Sequence, residues 1–169
     1  LIAGQKALGA VTGTAFESIS NSVIAATDGM LKFAEASRAV AIGTAAGLTS
    51  SQLTELGSAA KNASFALGRD LTDSFNRLIR GVTKAEPELL DELGIILRLE
   101  AATEKYGLKI GKAAGDLNAF ERSQAVANEV LEQADRKFGA IEALMDPNAA
   151  ALARFTKSFD ELINSFKLG

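Results

Sequence analysis

The stretch Thr49-Ser50-Ser51-Gln52-Leu53-Thr54-Glu55-Leu56-Gly57-Ser58-Ala59-Ala60-Lys61-Asn62-Ala63-Ser64-Phe65-Ala66-Leu67-Gly68 decides the fold class. Thr49 followed three residues later by Gln52 is a capping box, a hydroxyl and an amide that each satisfy a free N–H at a helix start. Leu53, Leu56, Ala60, Ala63 and Leu67 then recur at three- and four-residue spacing, which is one apolar face of an α-helix. Gly68 is the stop, since glycine accepts the left-handed conformation that ends helices.

The same grammar continues on both sides. Asp70 with Asp73 opens the next helix, whose buried face is Leu71, Phe75, Leu78 and Val82. Glu86-Pro87 starts another, with Pro in the first turn where its missing N–H costs nothing. Glu88, Asp91 and Glu92 lie near that positive helix end. Past Gly94, Ile95-Ile96-Leu97 either continues the helix or forms a short extended link. Residues 100–112 read as a helix loosened by Gly107 and Gly111. Asn118 with Glu121 is a second capping box, and Phe120, Ala127, Val130, Ala134, Phe138, Ile141 and Met145 trace a long helix behind it. Asp146-Pro147 caps a last helix with the stripe Leu152, Phe155, Phe159, Leu162 and Phe166. Upstream, Phe16, Ile19, Val23, Ala26, Met30, Phe33, Ser37 and Val40 keep the spacing and predict one long helix over 15–46, ending near Gly47. Residues 1–14, punctuated by Gly4, Gly9 and Gly13, read as a small-residue lead-in. No stretch alternates with β-branched enrichment, so no strand is expected. The expectation is an all-α fold of about six or seven helices, in hairpins or an elongated, loosely packed bundle. Three regions follow: the lead-in at 1–14, a helical region at 15–145 and a C-terminal amphipathic helix at 146–169.

Composition agrees with helix and narrows the chemistry. Hydrophobic residues make up 47% of the 169, but 31 are Ala, which favours helix and lets helices approach closely without filling much volume. With no Cys and no His, thiolate nucleophiles, disulfides, histidine triads and Cys/His zinc sites are excluded. Lys+Arg 18 against Asp+Glu 21, with the signs interspersed, leaves no basic stripe for nucleic acid. The longest uncharged run, between Arg38 and Glu55, is shorter and more polar than the ~20 apolar residues of a membrane span. The start at Leu1, without a basic region and apolar run, reads as a piece of a longer protein rather than a signal peptide.

Candidate sites each have a plainer explanation. Ser58-Ala59-Ala60-Lys61 has the S-x-x-K spacing of serine acyl enzymes but lacks their companion motifs. The run from Gly107 to Lys112 is one residue short of a phosphate loop, follows no strand, and has Ala113 where Ser or Thr should bind magnesium. Glu86, Glu88, Asp91 and Glu92 are explained by helix-start electrostatics before a hard cation is needed. Tyr106 reads as a packed ring rather than a general acid. The Gly-x-x-x-Gly spacings (Gly9/Gly13, Gly43/Gly47, Gly107/Gly111/Gly115) mark close packing or helix ends in a water-soluble chain. No catalytic residue, cofactor or metal site is expected.

The segment TKAEPELLDELGIILRLEAATEKYG, residues 83–107, resembles a block of bacteriophage tail tape measure proteins. Residues 118–139, NAFERSQAVANEVLEQADRKFG, are similar to the continuation of that block, and residues 60–84 also fit it. Its most distinctive part is Pro87, Glu88, Leu89, Leu90, Asp91, Glu92, Leu93 and Gly94. Residues 1–50 and 145–169 are only generically Ala-rich and helical. The resemblance implies a structural protein of a phage tail, not an enzyme. Such proteins lie in several copies in the tail tube, set its length during assembly, and leave it on infection ahead of the DNA. It implies as partners other copies of the chain and the tail tube, tail tip and tail assembly chaperone proteins. No small-molecule substrate and no direct nucleic-acid recognition are expected, and a membrane is met at infection. The expected location is the tube lumen of the virion, and the host cytoplasm during assembly. The stripe residues Phe16, Val23, Met30, Phe33 and Val40, with Leu152, Phe155, Phe159 and Phe166, are then expected as coiled-coil-like self-association or partner faces. The capped turns argue for folded-back helices rather than one rod. The alternative function is a membrane-active helical module for envelope penetration, which the mixed charges weaken. A cell-wall hydrolase is a third reading, for which no motif speaks.

Overall fold

The computed structural model describes residues 15–144 and, by itself, Ile163. The lead-in at 1–14, Met145 and the C-terminal helix expected over 146–169 otherwise lie outside the described residues. Those residues form seven α-helices and no strand. They are α1 (15–26), α2 (Phe33–Ala45), α3 (Ser50–Leu67), α4 (Leu71–Thr83), α5 (Pro87–Asp91), α6 (Leu99–Ile110) and α7 (Ala119–Leu144), with a 3-10 turn at Ala114–Asp116.

The local signals act as their chemistry dictates. Thr49 Oγ1 accepts from the Gln52 N–H at 3.1 Å, while Gln52 Oε1 accepts from the Thr49 N–H at 3.0 Å. Gly68 ends α3 at φ +65°, and the Asp70 carboxylate accepts from the Asp73 N–H to open α4. Asn118 and Glu121 close the second capping box at 2.8 and 3.0 Å. Each such cap stabilises its helix by about 1 kcal/mol. Between α5 and α6, Gly94 turns at φ +75° and residues 95–98 run as an extended link, with Ile95 and Leu97 buried and Ile96 outside.

One expectation is corrected. The single helix over 15–46 is two helices, separated at residues 27–32. Thr27 Oγ1 donates to the Ile24 carbonyl and accepts from the Leu31 N–H, closing the turn with one side chain. Asp28 (φ +56°) and Gly29 (φ +77°) reverse the backbone, a conformation open to Gly and tolerated by Asp. The apolar spacing runs through this turn by coincidence. Leu31, not Met30, is the buried residue there, and the inner face of α2 is Ala36, Ala39, Val40 and Gly43.

The core is continuous: Val23, Val40, Leu53, Leu56, Phe75, Leu78, Leu90, Leu93, Val126 and Val130 all belong to one buried cluster. Helix α3 is its axis, packing on α7 and α4. Gln52 meets Gln124 and Asn128 near the start of both helices, and Asn62 and Asp135 line one cleft further along, so α3 and α7 run parallel. Helix α1 runs the same way, with Val23 against Gly57 and Asp28 beside Lys61. Helices α2 and α4 return in the opposite sense, tied at their starts by Thr72 Oγ1 donating to Glu35 Oε2.

Substituting Leu53, fully buried in α3, by Ala is expected to lower stability by about 2–5 kcal/mol. Thr49→Ala, which removes only the cap, is expected to cost about 1 kcal/mol. Urea unfolding followed by circular dichroism checks both, and near-equal costs would contradict the assignment of Leu53 to the core.

Candidate functional site

Residues Pro87 to Gly94 gather into one local structure. Pro87 is the first residue of α5 and Leu90 the first to reach the core. Leu90 lies directly over Gly81 of α4, so closely that a Cβ on Gly81 would fall 2.6 Å from Leu90 Cδ2. Leu93 is fully buried, Leu89 half-buried, and Gly94 turns the chain. Asp91 and Glu92 point outward. Glu92 bridges back to α4 and the turn before it, with Oε2 2.7 Å from Arg77 and 3.2 Å from Arg69. Asp73 accepts from the same two guanidinium groups at 3.0 and 3.2 Å. This two-by-two lattice holds the Asp73 carboxyl below its ordinary 3.8, the Arg77 hydrogen bond lowering it most against partial desolvation, with Arg69 adding to it.

A second polar assembly was not legible in the sequence. Gln133 of α7 places its side-chain amide against the backbone of Ile96, Oε1 accepting from the Ile96 N–H at 2.9 Å and Nε2 donating to its carbonyl at 2.7 Å. It thus satisfies an extended link that has no strand to pair with. One helical surface away, Gln52 Nε2 donates to Asn128 Oδ1, Gln124 Nε2 donates to the Gly47 carbonyl, and Tyr106 donates to Gln124 Oε1. The available signal was three amides, Gln124, Asn128 and Gln133, beside the apolar stripe of one long helix.

The remaining candidates are placed as follows. Ser58 and Lys61 share no hydrogen bond among the described residues. Lys61 is 7% exposed and its Nζ lies 3.3 Å from Asp28 Oδ2, so it secures the α1–α2 turn. Lys112 pairs with Glu121 at the start of α7, and the region around Gly111 is a helix end at φ +75°. No group of three or more acidic, His or Cys side chains that could hold a metal occurs among the described residues. None of their helices is long and apolar enough to cross a membrane.

The expected partner face on α1 and α2 is split. Val23 and Val40 are fully buried in this chain's own core and are withdrawn from any outer face. Phe16 is half-buried against that core. Met30 and Phe33 are 60% and 50% exposed. Leu152, Phe155, Phe159 and Phe166 lie outside the described residues. No family model matches the chain, and no solved structure matches it significantly.

Asp73→Asn is expected to lower stability at pH 7 by up to about 1 kcal/mol, the ordinary scale for an exposed ion-pair network. A lowered folded pKa stabilises above the unfolded value and loses that contribution as pH falls through the folded one. The difference between wild type and variant should therefore be full at pH 7 and shrink below pH 3.8; a difference that grows on acidification would contradict the lattice.

Proposed function

We propose that the chain is a structural segment of a bacteriophage tail tape measure protein, contributing to tube length during assembly and leaving the tube on infection. The observation that supports it is the use made of the Pro87–Gly94 block. Leu90 on Gly81, buried Leu93, the Gly94 turn and the Glu92 bridges are all fold-making contacts. The rest of the resemblance falls on the end of α3, α4, α6 and α7, of which α4 carries α5 directly. A block that resembles one of a structural family is here used structurally, which supports the reading.

The folded module is the form carried before the tube closes around it. Its length in the tube is another matter, since an α-helix advances ~1.5 Å per residue and the whole chain drawn out would span roughly 250 Å. Tightly capped turns at Asp28-Gly29, Gly68 and Gly94 are the points where the fold opens into that form. In-frame deletion of residues 1–169 from the phage gene is expected to shorten tails by roughly 250 Å in electron micrographs. Tails of unchanged length, or no tails at all, would contradict a measuring role.

The exposed pair Met30 and Phe33, with Lys32 between them, favours a second reading: contact with the envelope membrane during genome delivery. Leakage of anionic liposomes that disappears in Met30→Ser/Phe33→Ser would carry it; leakage unaffected by the substitutions would remove it.

A further inference from the structure

The parallel packing of α3 and α7 leaves a cleft of ≈ 320 Å³ between them, whose polar groups are Glu55, Ser58 and Asn62 of α3 and Asp135 of α7. Positions 55, 58 and 62 share one helix face because they stand three and four apart. The rest of the lining is apolar, Ala59 on one helix and Leu131 and Ala134 on the other. Neither Glu55 nor Asp135 has an ion-pair partner among the described residues. The basic residues that neighbour the cleft in sequence are engaged elsewhere. Lys61 pairs with Asp28 and Arg136 with Glu132, while Lys137 Nζ lies beside Gly94, 3.8 Å from where a Cβ would stand. Asn62 is the second, independent observation. It lines the cleft, is 5% exposed, and its Oδ1 is buried with no hydrogen-bond donor opposite it among the described residues. That is a costly state for an amide, and a donor entering the cleft would answer it.

We infer that the cleft binds one guanidinium group carried on an aliphatic stem. A guanidinium is planar, permanently positive, and has five N–H donors and no acceptor. It therefore serves two carboxylates and an amide oxygen at once and brings no acceptor of its own that would need a donor. Its stem is apolar and lies against Ala59, Leu131 and Ala134, as the methylenes of long charged side chains do on apolar surface. The volume is at the lower end of the range for ligand pockets, about 300–1,000 Å³, and suits a ligand the size of one long side chain. A hard divalent cation is the poorer match. Two carboxylates and two neutral oxygens fall short of the about 6–8 oxygens that calcium takes, and the apolar lining adds none.

Titration of the full, isotope-labelled chain with N-acetyl-L-arginine methylamide, followed by NMR, is the test. Backbone amides of Glu55, Ser58, Leu131 and Asp135 and the side-chain amide of Asn62 should shift together and saturate, with a Kd of about 1 mM, the ordinary scale for so small a ligand. Glu55→Gln and Asp135→Asn, at exposed positions where the change keeps the side chain's shape, should each weaken binding at least about threefold. Asp116→Asn, which removes an exposed carboxylate outside the cleft, should leave it unchanged. N-acetyl-L-lysine methylamide, with the charge but not the planar fork, should bind at least about threefold more weakly. Butylguanidine separates the two sources of such a group. Equal or tighter binding than the arginine derivative assigns the cleft to a free alkylguanidine, and weaker binding assigns it to an arginine of a polypeptide. The inference is overturned by any of four results: no saturable shift at these signals, unchanged affinity in both carboxylate variants, equal binding of the lysine derivative, or larger shifts with calcium chloride at the same concentration.

Discussion

The contact between α3 and α7 is the constraint on which the other helices depend. These are the two longest described helices, and they run side by side in the same direction. A parallel pair cannot be joined by a short turn, so the intervening chain has to travel back and cross over. Helix α4 makes the return, the short α5 and the extended link make the corner, and α6 lies against α7 before the chain enters it. The apolar contribution to the seam comes from Leu53, Leu56, Ala60 and Ala63 on one side and Val126, Ala127, Val130 and Ala134 on the other, all in one buried cluster. Half of these are Ala, so the backbones can come close while each residue removes little area from water. Polar pairing then fixes the register: Gln52 reaches Gln124 and Asn128, and a one-turn slip would leave those amides unanswered in a part-buried place.

Most of the element boundaries could be read from the residues because they are set by local chemistry. The Thr49/Gln52 and Asn118/Glu121 boxes, the Asp70 cap, Pro87 and Gly68 each act within one turn of chain, so neighbouring residues alone determine the outcome. The reading failed where two local signals competed. At residues 27–32 the three/four spacing argued for continuation and Thr27-Asp28-Gly29 argued for a turn; the turn prevailed because Thr27 satisfies both ends of the break and Leu31 gains a buried place. The Ile95–Leu97 link was open between helix and strand-like chain for a related reason. What holds it extended is Gln133, thirty-seven positions away, and no local rule sees that distance. Val23 and Val40 show the same limit from another side: an apolar stripe announces burial without saying whether the cover is this chain or another.

The proposed length-setting role does not require the folded state to be rigid. An Ala-rich core with polar amides at its seams is held by many small contributions, and domains of this kind are stable by only about 5–15 kcal/mol in total. Opening the six connections between the seven described helices would draw them into one continuous helix without breaking the intrahelical hydrogen bonds they already hold. The Arg69/Arg77/Asp73/Glu92 lattice lies at the surface with its two arginines partly covered, and ion pairs of this kind contribute little each. The tightest contact to be undone is that of Leu90 with Gly81, which seats α5 on α4.

The central claim, that the free chain is a folded-back helical module rather than a rod, is tested most directly by small-angle X-ray scattering on residues 1–169 in dilute solution. A compact chain of this length has a radius of gyration near ~15 Å, and the account predicts a value close to it together with a strongly helical circular dichroism spectrum. The same helicity with a radius of gyration of roughly 70 Å, that of a continuous rod, would contradict it.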